Sequence, residues 1–354
     1  MTADAAFQFI VDQLQDGDPI IRADAARLLG EIKRSDAVAP LTGYLQNEQH
    51  YTKVAGIYAL WQIADPAAIP ILQTLLKKPN VPDDWYWYAR RAVVTSVAIG
   101  LSTFGDDSGV PFLQDLLDKN NDVVFCWYGP TILRFARESD QAKPVVGLQE
   151  LAKQITVSAL YNTVALSKRF SEPGLLTMTA ETLGLIGTKD AQAKLVDLLT
   201  HASRYIRSRA ALSLLEADAS DANRQHVSNL LQSDQTDFVA IKASLALAKA
   251  FVDEREKRSN VIAKIAASAT DAFDRAVAIE SLGSLPGAVH ADVIASALDD
   301  ADAYVRQCAA EACPDNPELR KRIKTLQQSD PAPRVRLSAS KWLATAGRQH
   351  EVNR

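Results

Sequence analysis

The chain has 354 residues, 47% hydrophobic and 23% charged, the makeup of an ordinary soluble protein. A net charge of −4 and a pI near 5.8 argue against a general nucleic-acid binder, which carries a broad basic face. No window approaches the ~18 apolar residues of a membrane helix. Cys126, Cys308 and Cys313 have neither the count of a disulfide framework nor a metal-ligand spacing.

The N-terminal stretch, Met1 to Phe7, lacks the basic n-region and apolar run of a signal peptide, and sparse cysteine suits a reducing compartment. A cytoplasmic location is therefore expected. The first strong pattern follows at Asp18-Pro19. Asp is a good helix N-cap and Pro is tolerated in the first turn. Ile21, Ala25, Leu28, Leu29 and Ile32 then recur at spacings of three and four, an apolar helical stripe. A polar turn at Lys33–Asp36 ends that helix, and a second runs from Ala37 through Leu45. The plan repeats from Ile57 to Ile63, with a turn at Ala64-Asp65-Pro66 and a second helix from Ala67, and again around Leu101.

The motif Ile-Arg-x-x-Ala-Ala-x-x-Leu-Gly-x-Ile of residues 21–32 returns in degraded form. Copies are Ile206-Arg207-Ser208-Arg209-Ala210-Ala211, Val305-Arg306-Gln307-Cys308-Ala309-Ala310 and Val335-Arg336-Leu337-Ser338-Ala339-Ser340. Anchors at Leu29, Leu60, Leu101, Ile132, Leu183, Leu214, Leu247, Leu282, Cys313 and Leu343 give nine intervals, five of them 30 or 31 residues. The intervals from Leu60 to Leu101 and from Ile132 to Leu183 are longer, at 41 and 51 residues. One hairpin cannot bury its apolar stripe alone, so several must stack, and alanines at the crossings let helices approach closely. No period-2 strand signal is present. The expected fold is all-α, a right-handed α-solenoid (α-α superhelix) of about ten helical hairpins. One solenoid over 1–354 is expected, with aromatic-rich repeats in 1–153, an irregular insertion helix in 154–170 and regular repeats in 171–354.

This pattern, with the Ala-Val-x-x-Leu that follows it, resembles the short HEAT repeats of phycobilin-lyase-like proteins over roughly residues 15–345. The resemblance implies the fold more than the function, since such repeats serve scaffolds, inhibitors, lyases and DNA repair enzymes.

Four features are candidates for contact with a partner. Arg22, Arg207, Arg275, Arg306 and Arg336 share one register, with Lys53 near it. Helix capping and pairing with the next repeat's Asp account for them; the alternative is a phosphate-reading ladder. The aromatics are uneven: 18 of 24 lie in residues 1–170. Trp85, Tyr86, Trp87 and Tyr88 are consecutive, and at about 100° per residue they cannot all face one core. Extending the stripe back from Leu101 places Tyr86 and Ala89 or Arg90 inward. A binding patch on repeats 2–4 is expected from Trp85, Trp87, Tyr88, Arg90, Arg91, Trp127, Tyr128, Tyr51 and Trp61, because Trp, Tyr and Arg dominate interface hot spots. The insertion and the basic tail, Glu318 to Arg354 with nine Lys/Arg against three acids, are further contact elements.

No catalytic constellation appears. His50, His201, His226, His290 and His350 are scattered, without the paired His-Glu ligands of HEAT-type di-iron hydroxylases. No Gly-rich phosphate loop or nucleophile elbow is present. Neither cofactor nor metal is expected. The leading expectation is a non-enzymatic scaffold or adaptor that binds another protein through the solenoid surface. The resemblance offers two alternatives. One is a phycobilin-lyase-type enzyme or chaperone, with a tetrapyrrole held by the aromatics and by Arg90 and Arg91. The other is a HEAT-type DNA-binding or repair protein, against which the acidic balance counts.

Overall fold

The computed structural model describes residues 2–48, 52–79, 87–118, 129–134, 146–157, 160, 173–287 and 290–346. Their α-helices, in order, are α1 (Ala3–Asp12), α2 (Pro19–Ile32), α3 (Val38–Asn47), α4 (Lys53–Ile63), α5 (Ile69–Lys77), α6 (Trp87–Thr103), α7 (Val110–Asp118) and α8 (Val146–Gln154). There follow α9 (Pro173–Ile186), α10 (Lys189–Leu198), α11 (Arg204–Ala217), α12 (Asp221–Ser233), α13 (Asp237–Ala250) and α14 (Arg255–Ser268). The last are α15 (Ala272–Gly283), α16 (Ala291–Ala297), α17 (Ala303–Ala312), α18 (Pro317–Ser329) and α19 (Pro333–Thr345). Among the described residues there is no strand, and the helices stack as hairpins in an all-α solenoid.

The chain divides into two compact units. Unit 1 takes residues 1–115, 139–148 and 315–354; unit 2 takes 116–138 and 149–314. In unit 2, first helices pack on first helices: α9 on α11, α11 on α13, α13 on α15, α15 on α17. The second helices α10, α12, α14 and α16 back them. In unit 1, α2 packs on α4 and α4 on α6. There α19 packs on both α1 and α2, so the last repeat of the chain stacks on the first. Arg334 on α19 pairs with Asp24 on α2, and Lys341 with Glu31.

The caps fall where the sequence puts them. Asp18, Asp271 and Asp302 accept from the backbone N–H two residues on, at 2.8, 2.9 and 2.8 Å. The arginine four residues after each of them has a different use. Nη1 of Arg22 donates to the carbonyls of Asp16 and Gly17, and Arg207, Arg275, Arg306 and Arg336 repeat that bond pair in their own loops. The other edge of the guanidinium reaches an acid of the next repeat: Glu48 at 2.7 Å from Arg22, Asp234 at 2.6 Å from Arg207, Asp300 at 2.9 Å from Arg275. At Arg22, Arg207 and Arg275 this arginine clamps an inter-repeat loop to the following repeat. Spent on carbonyls and carboxylates, these three have no fork left for phosphates.

Small residues mark the crossings. A Cβ on Gly283 would stand 2.5 Å from the Cβ of Ala312, so α15 and α17 touch almost backbone to backbone there. The proposed insertion helix of 154–170 falls mostly outside the described residues. Of its apolar positions, Ile155 is buried and Leu160 joins the core of unit 2.

Candidate functional site

Of the aromatic patch read from the sequence, Tyr51, Trp85, Trp127 and Tyr128 lie outside the described residues, as does Tyr86. Trp87, Tyr88 and Arg91 are backbone positions in α6, and Arg90 is exposed on that helix. Trp61 does not belong to an exposed patch. It is 5% exposed, wedged from α4 against α6, with Tyr58 meeting it edge-on at 4.3 Å. Gly100 makes the room, since a Cβ there would stand 1.7 Å from Trp61 Nε1. The single-stripe reading of α6 also needs correction. Val93 to Ser102 are all buried, so that stretch of α6 is enclosed on every side, while Arg90 nearer its start faces solvent rather than the core.

A different aromatic set comes together in unit 2. Tyr205, Phe238, Phe273 and Tyr304 occupy one register near the starts of α11, α13, α15 and α17. Stacked first helices bring them into a row. Tyr205 meets Phe238 edge-on at 4.9 Å; Phe238 and Phe273 stack at 5.8 Å and 12°; Phe273 and Tyr304 stack at 6.3 Å and 15°. Such pairs contribute about 0.5–1.5 kcal/mol each beyond area burial. Yet Tyr205, Phe273 and Tyr304 remain 41%, 37% and 40% exposed. Sequence reasoning missed the row because it weighed aromatic density. The available signal was register, an aromatic two residues before the clamp arginine in Tyr205-Ile206-Arg207, Phe273-Asp274-Arg275 and Tyr304-Val305-Arg306.

Beside the row, α9, α11, α13 and α15 border a cavity of about 290 Å³. Tyr205 and Phe238 wall it, Leu212 and Leu245 line it, and Arg209, Lys242, Lys249, Glu216 and Glu280 bring charge. The buried hydroxyl of Ser208, also at the cavity, has no hydrogen-bond partner among the described residues. Lys242 stands 3.6 Å from Glu280, and Arg209 3.6 Å from Glu181. Burial holds the Lys242 ammonium below the ordinary lysine range despite Glu280. Cys308, on α17, has its thiol pushed up to about 12 by burial, with Glu311 and Glu280 adding to the effect, and so is no thiolate at neutral pH. Among the described residues no cluster of His, Cys, Asp or Glu is arranged to hold a metal ion. No described helix is long and apolar enough to cross a membrane. The geometry offers a ligand apolar stacking, paired charge and hydroxyls.

A family model of HEAT repeats matches residues 7–85. This stretch is therefore similar to HEAT repeats. The arginine bond pair of Arg22 recurs as far as Arg336 on α19. Over 67 residues the chain is 36% identical to the phycocyanobilin lyase subunit alpha of Synechococcus elongatus. That match covers 19% of this chain, which spans about a quarter, 24%, of the relative's length. Among solved structures, human deoxyhypusine hydroxylase in complex with glycerol is similar at 18% identity and TM-score 0.32, over 88% of this chain and 94% of that one. An engineered protein is similar at 17% identity and TM-score 0.29, over 97% and 100%. The complex of CpcE and CpcF of phycocyanin lyase from Nostoc sp. PCC7120 is similar at 18% identity and TM-score 0.27, over 96% and 94%.

Proposed function

We propose that this HEAT-repeat protein is a non-enzymatic adaptor that seats a protein partner on the first-helix face of unit 2, centred on the aromatic row. The observation that carries this reading is the exposure of ordered rings: Tyr205, Phe273 and Tyr304 stack in register yet stay more than a third exposed. Aromatics are enriched at interface hot spots, where covering them releases the most solvent-exposed apolar area per ordered side chain. The aromatics of repeats 2–4 (Tyr51, Trp85, Trp87, Tyr88, Trp127 and Tyr128, with Arg90 and Arg91) are proposed as a second contact patch. Trp61 is omitted because it is core.

A photo-crosslinking residue at position 304, compared with one at the exposed Gln225 on α12, tests the reading in an extract of the native host. One dominant cross-linked protein from position 304 and none from 225 is expected. Equal, diffuse labelling from both positions would sink the proposal.

The similarity to a phycocyanobilin lyase subunit favours a second reading, a chromophore-handling protein of that type. The cavity beside Tyr205 and Phe238, with Arg209, Lys242 and Lys249 for carboxylates, is where a tetrapyrrole would dock. At about 290 Å³ the cavity would leave part of it outside. Adding phycocyanobilin to the pure protein separates the readings. A visible absorbance change that survives desalting supports the second; an unchanged spectrum refutes it.

A further inference from the structure

One step of the aromatic row already holds a guanidinium. Arg204 lies 5.1 Å from the centroid of Tyr205 and 5.3 Å from that of Phe238, and its Nη2 donates to the Tyr205 hydroxyl at 3.2 Å. Its Nη1 reaches across α13 to within 3.9 Å of Asp274 Oδ2 on α15. Ring faces and a carboxylate share the cation, the arrangement in which a planar guanidinium gains most.

Further along the row the same parts recur without the arginine. Phe273 and Tyr304 stack as neighbours, but the residue before Phe273 is Ala272, where Tyr205 is preceded by Arg204. Carboxylates are in excess around this stretch. Asp237 is exposed at the start of α13, and Asp271 and Asp302 cap α15 and α17. Asp274 is 6% exposed, and its Oδ1 has no hydrogen-bond partner among the described residues. Its burial, with Asp271 and Asp237 nearby, holds its carboxyl above the usual carboxylate range although Arg204 pulls the other way. Asp274 and Asp271 act on the Arg204 guanidinium, Asp237 adds charge beside Asp274, and the buried Asp274 keeps one oxygen without a hydrogen bond among the described residues. The other arginines of these helices are engaged elsewhere: Arg207, Arg275 and Arg306 on loop carbonyls, Arg207 and Arg275 also on Asp234 and Asp300, and Arg209 3.6 Å from Glu181.

We propose that the Phe273–Tyr304 step receives an arginine side chain from the partner protein, repeating between chains the contact that Arg204 makes within this one. The proposal rests on the protein-binding reading above and names its chemistry: the partner presents arginine in a basic, extended segment. Lysine is the poorer occupant, because a compact ammonium neither lies flat on a ring nor forks to a carboxylate.

Fluorescence anisotropy with the full chain tests this at low salt. The probe is a labelled Gly-Ser-Arg-Gly-Arg-Ser-Gly peptide, with lysine and citrulline versions alongside. Saturable binding of the arginine peptide is expected, about fivefold or more tighter than the lysine peptide, with none for neutral citrulline. The Ala272→Arg variant puts an arginine in the register of Arg204, so it should weaken peptide binding about tenfold or more while melting stays unchanged. Phe273→Leu combined with Tyr304→Leu should do the same, with helicity as the control for folding. An arginine peptide bound no better than citrulline, or bound equally by these variants, overturns the proposal. If position 304 still cross-links one partner in that case, arginine recognition fails while the protein-binding reading stands. If neither signal appears, both fail.

Discussion

The clamp arginine explains a residue that departs from it. At the equivalent register α4 carries Lys53, fully buried, whose Nζ donates to the carbonyl of Pro79 at 3.1 Å. A lysine offers no fork for two loop carbonyls and an acid together, and burial lowers its pKa to about 8, only partly opposed by Glu48. Below pH 8 the ammonium is charged in folded and unfolded chain alike, and the desolvation cost is present in full. Between about pH 8 and 10 the folded chain releases this proton first, so the unfolded chain binds more protons and stability rises with pH. The gain is at most about 1.4 kcal/mol per pH unit. Above pH 10 the trend reverses, because burial raises the pKa of Tyr44 and the unfolded chain ionises its tyrosine more readily. Urea melts at pH 7.5, 8.5 and 9.5 should show this rise in wild type and a flatter profile in Lys53→Met.

Elements meet where side chains are smallest, and the contact of α4 with α6 is the sharpest case. Trp61 fills the gap that Gly100 leaves, so Gly100→Ala forces the indole out of place. A loss of about 1–3 kcal/mol is expected, with a red shift of tryptophan emission as a ring leaves the core. Trp61→Ala alone should cost about 3–5 kcal/mol, and the double variant less than the sum, because the added methyl enters space the indole vacates. This pair shows what was legible beforehand. Helices, caps and period depend on neighbours within a few residues, and Asp18, Pro19 and the stripe from Ile21 to Ile32 encode them locally. Whether Trp61 faces solvent depends on a glycine in the next repeat, which one helix's periodicity does not report. The aromatic row depends likewise on four helices stacking in step. Tyr205, Phe238, Phe273 and Tyr304 are unremarkable singly and became a candidate site only when aligned.

At the scale of the molecule, α19 gives unit 1 a terminal repeat that covers α1 and α2. The pairs Arg334–Asp24 and Lys341–Glu31 lie partly open to solvent, and each contributes less than about 1 kcal/mol. The apolar side of α19, with Val335, Leu337, Trp342 and Leu343 buried, supplies the larger share. Charge reversal at Arg334 should therefore lower the melting temperature by only a degree or two, whereas deletion of 333–345 should leave unit 1 open to protease and unit 2 resistant. Proteolysis followed by mass mapping distinguishes these outcomes.

The closure of unit 1 has a further consequence during synthesis. Asp24 and its partner Arg334 are 310 residues apart. At about 5–20 residues per second, a ribosome needs roughly 15–60 s to deliver the second after the first. Through that interval the nascent chain carries the surfaces of α1 and α2 that α19 will cover, while unit 2, assembled from the intervening sequence, emerges whole. The order of completion on the ribosome is thus inverted relative to the N-terminus: the second unit can finish first, and the first waits until residues 333–345 have emerged.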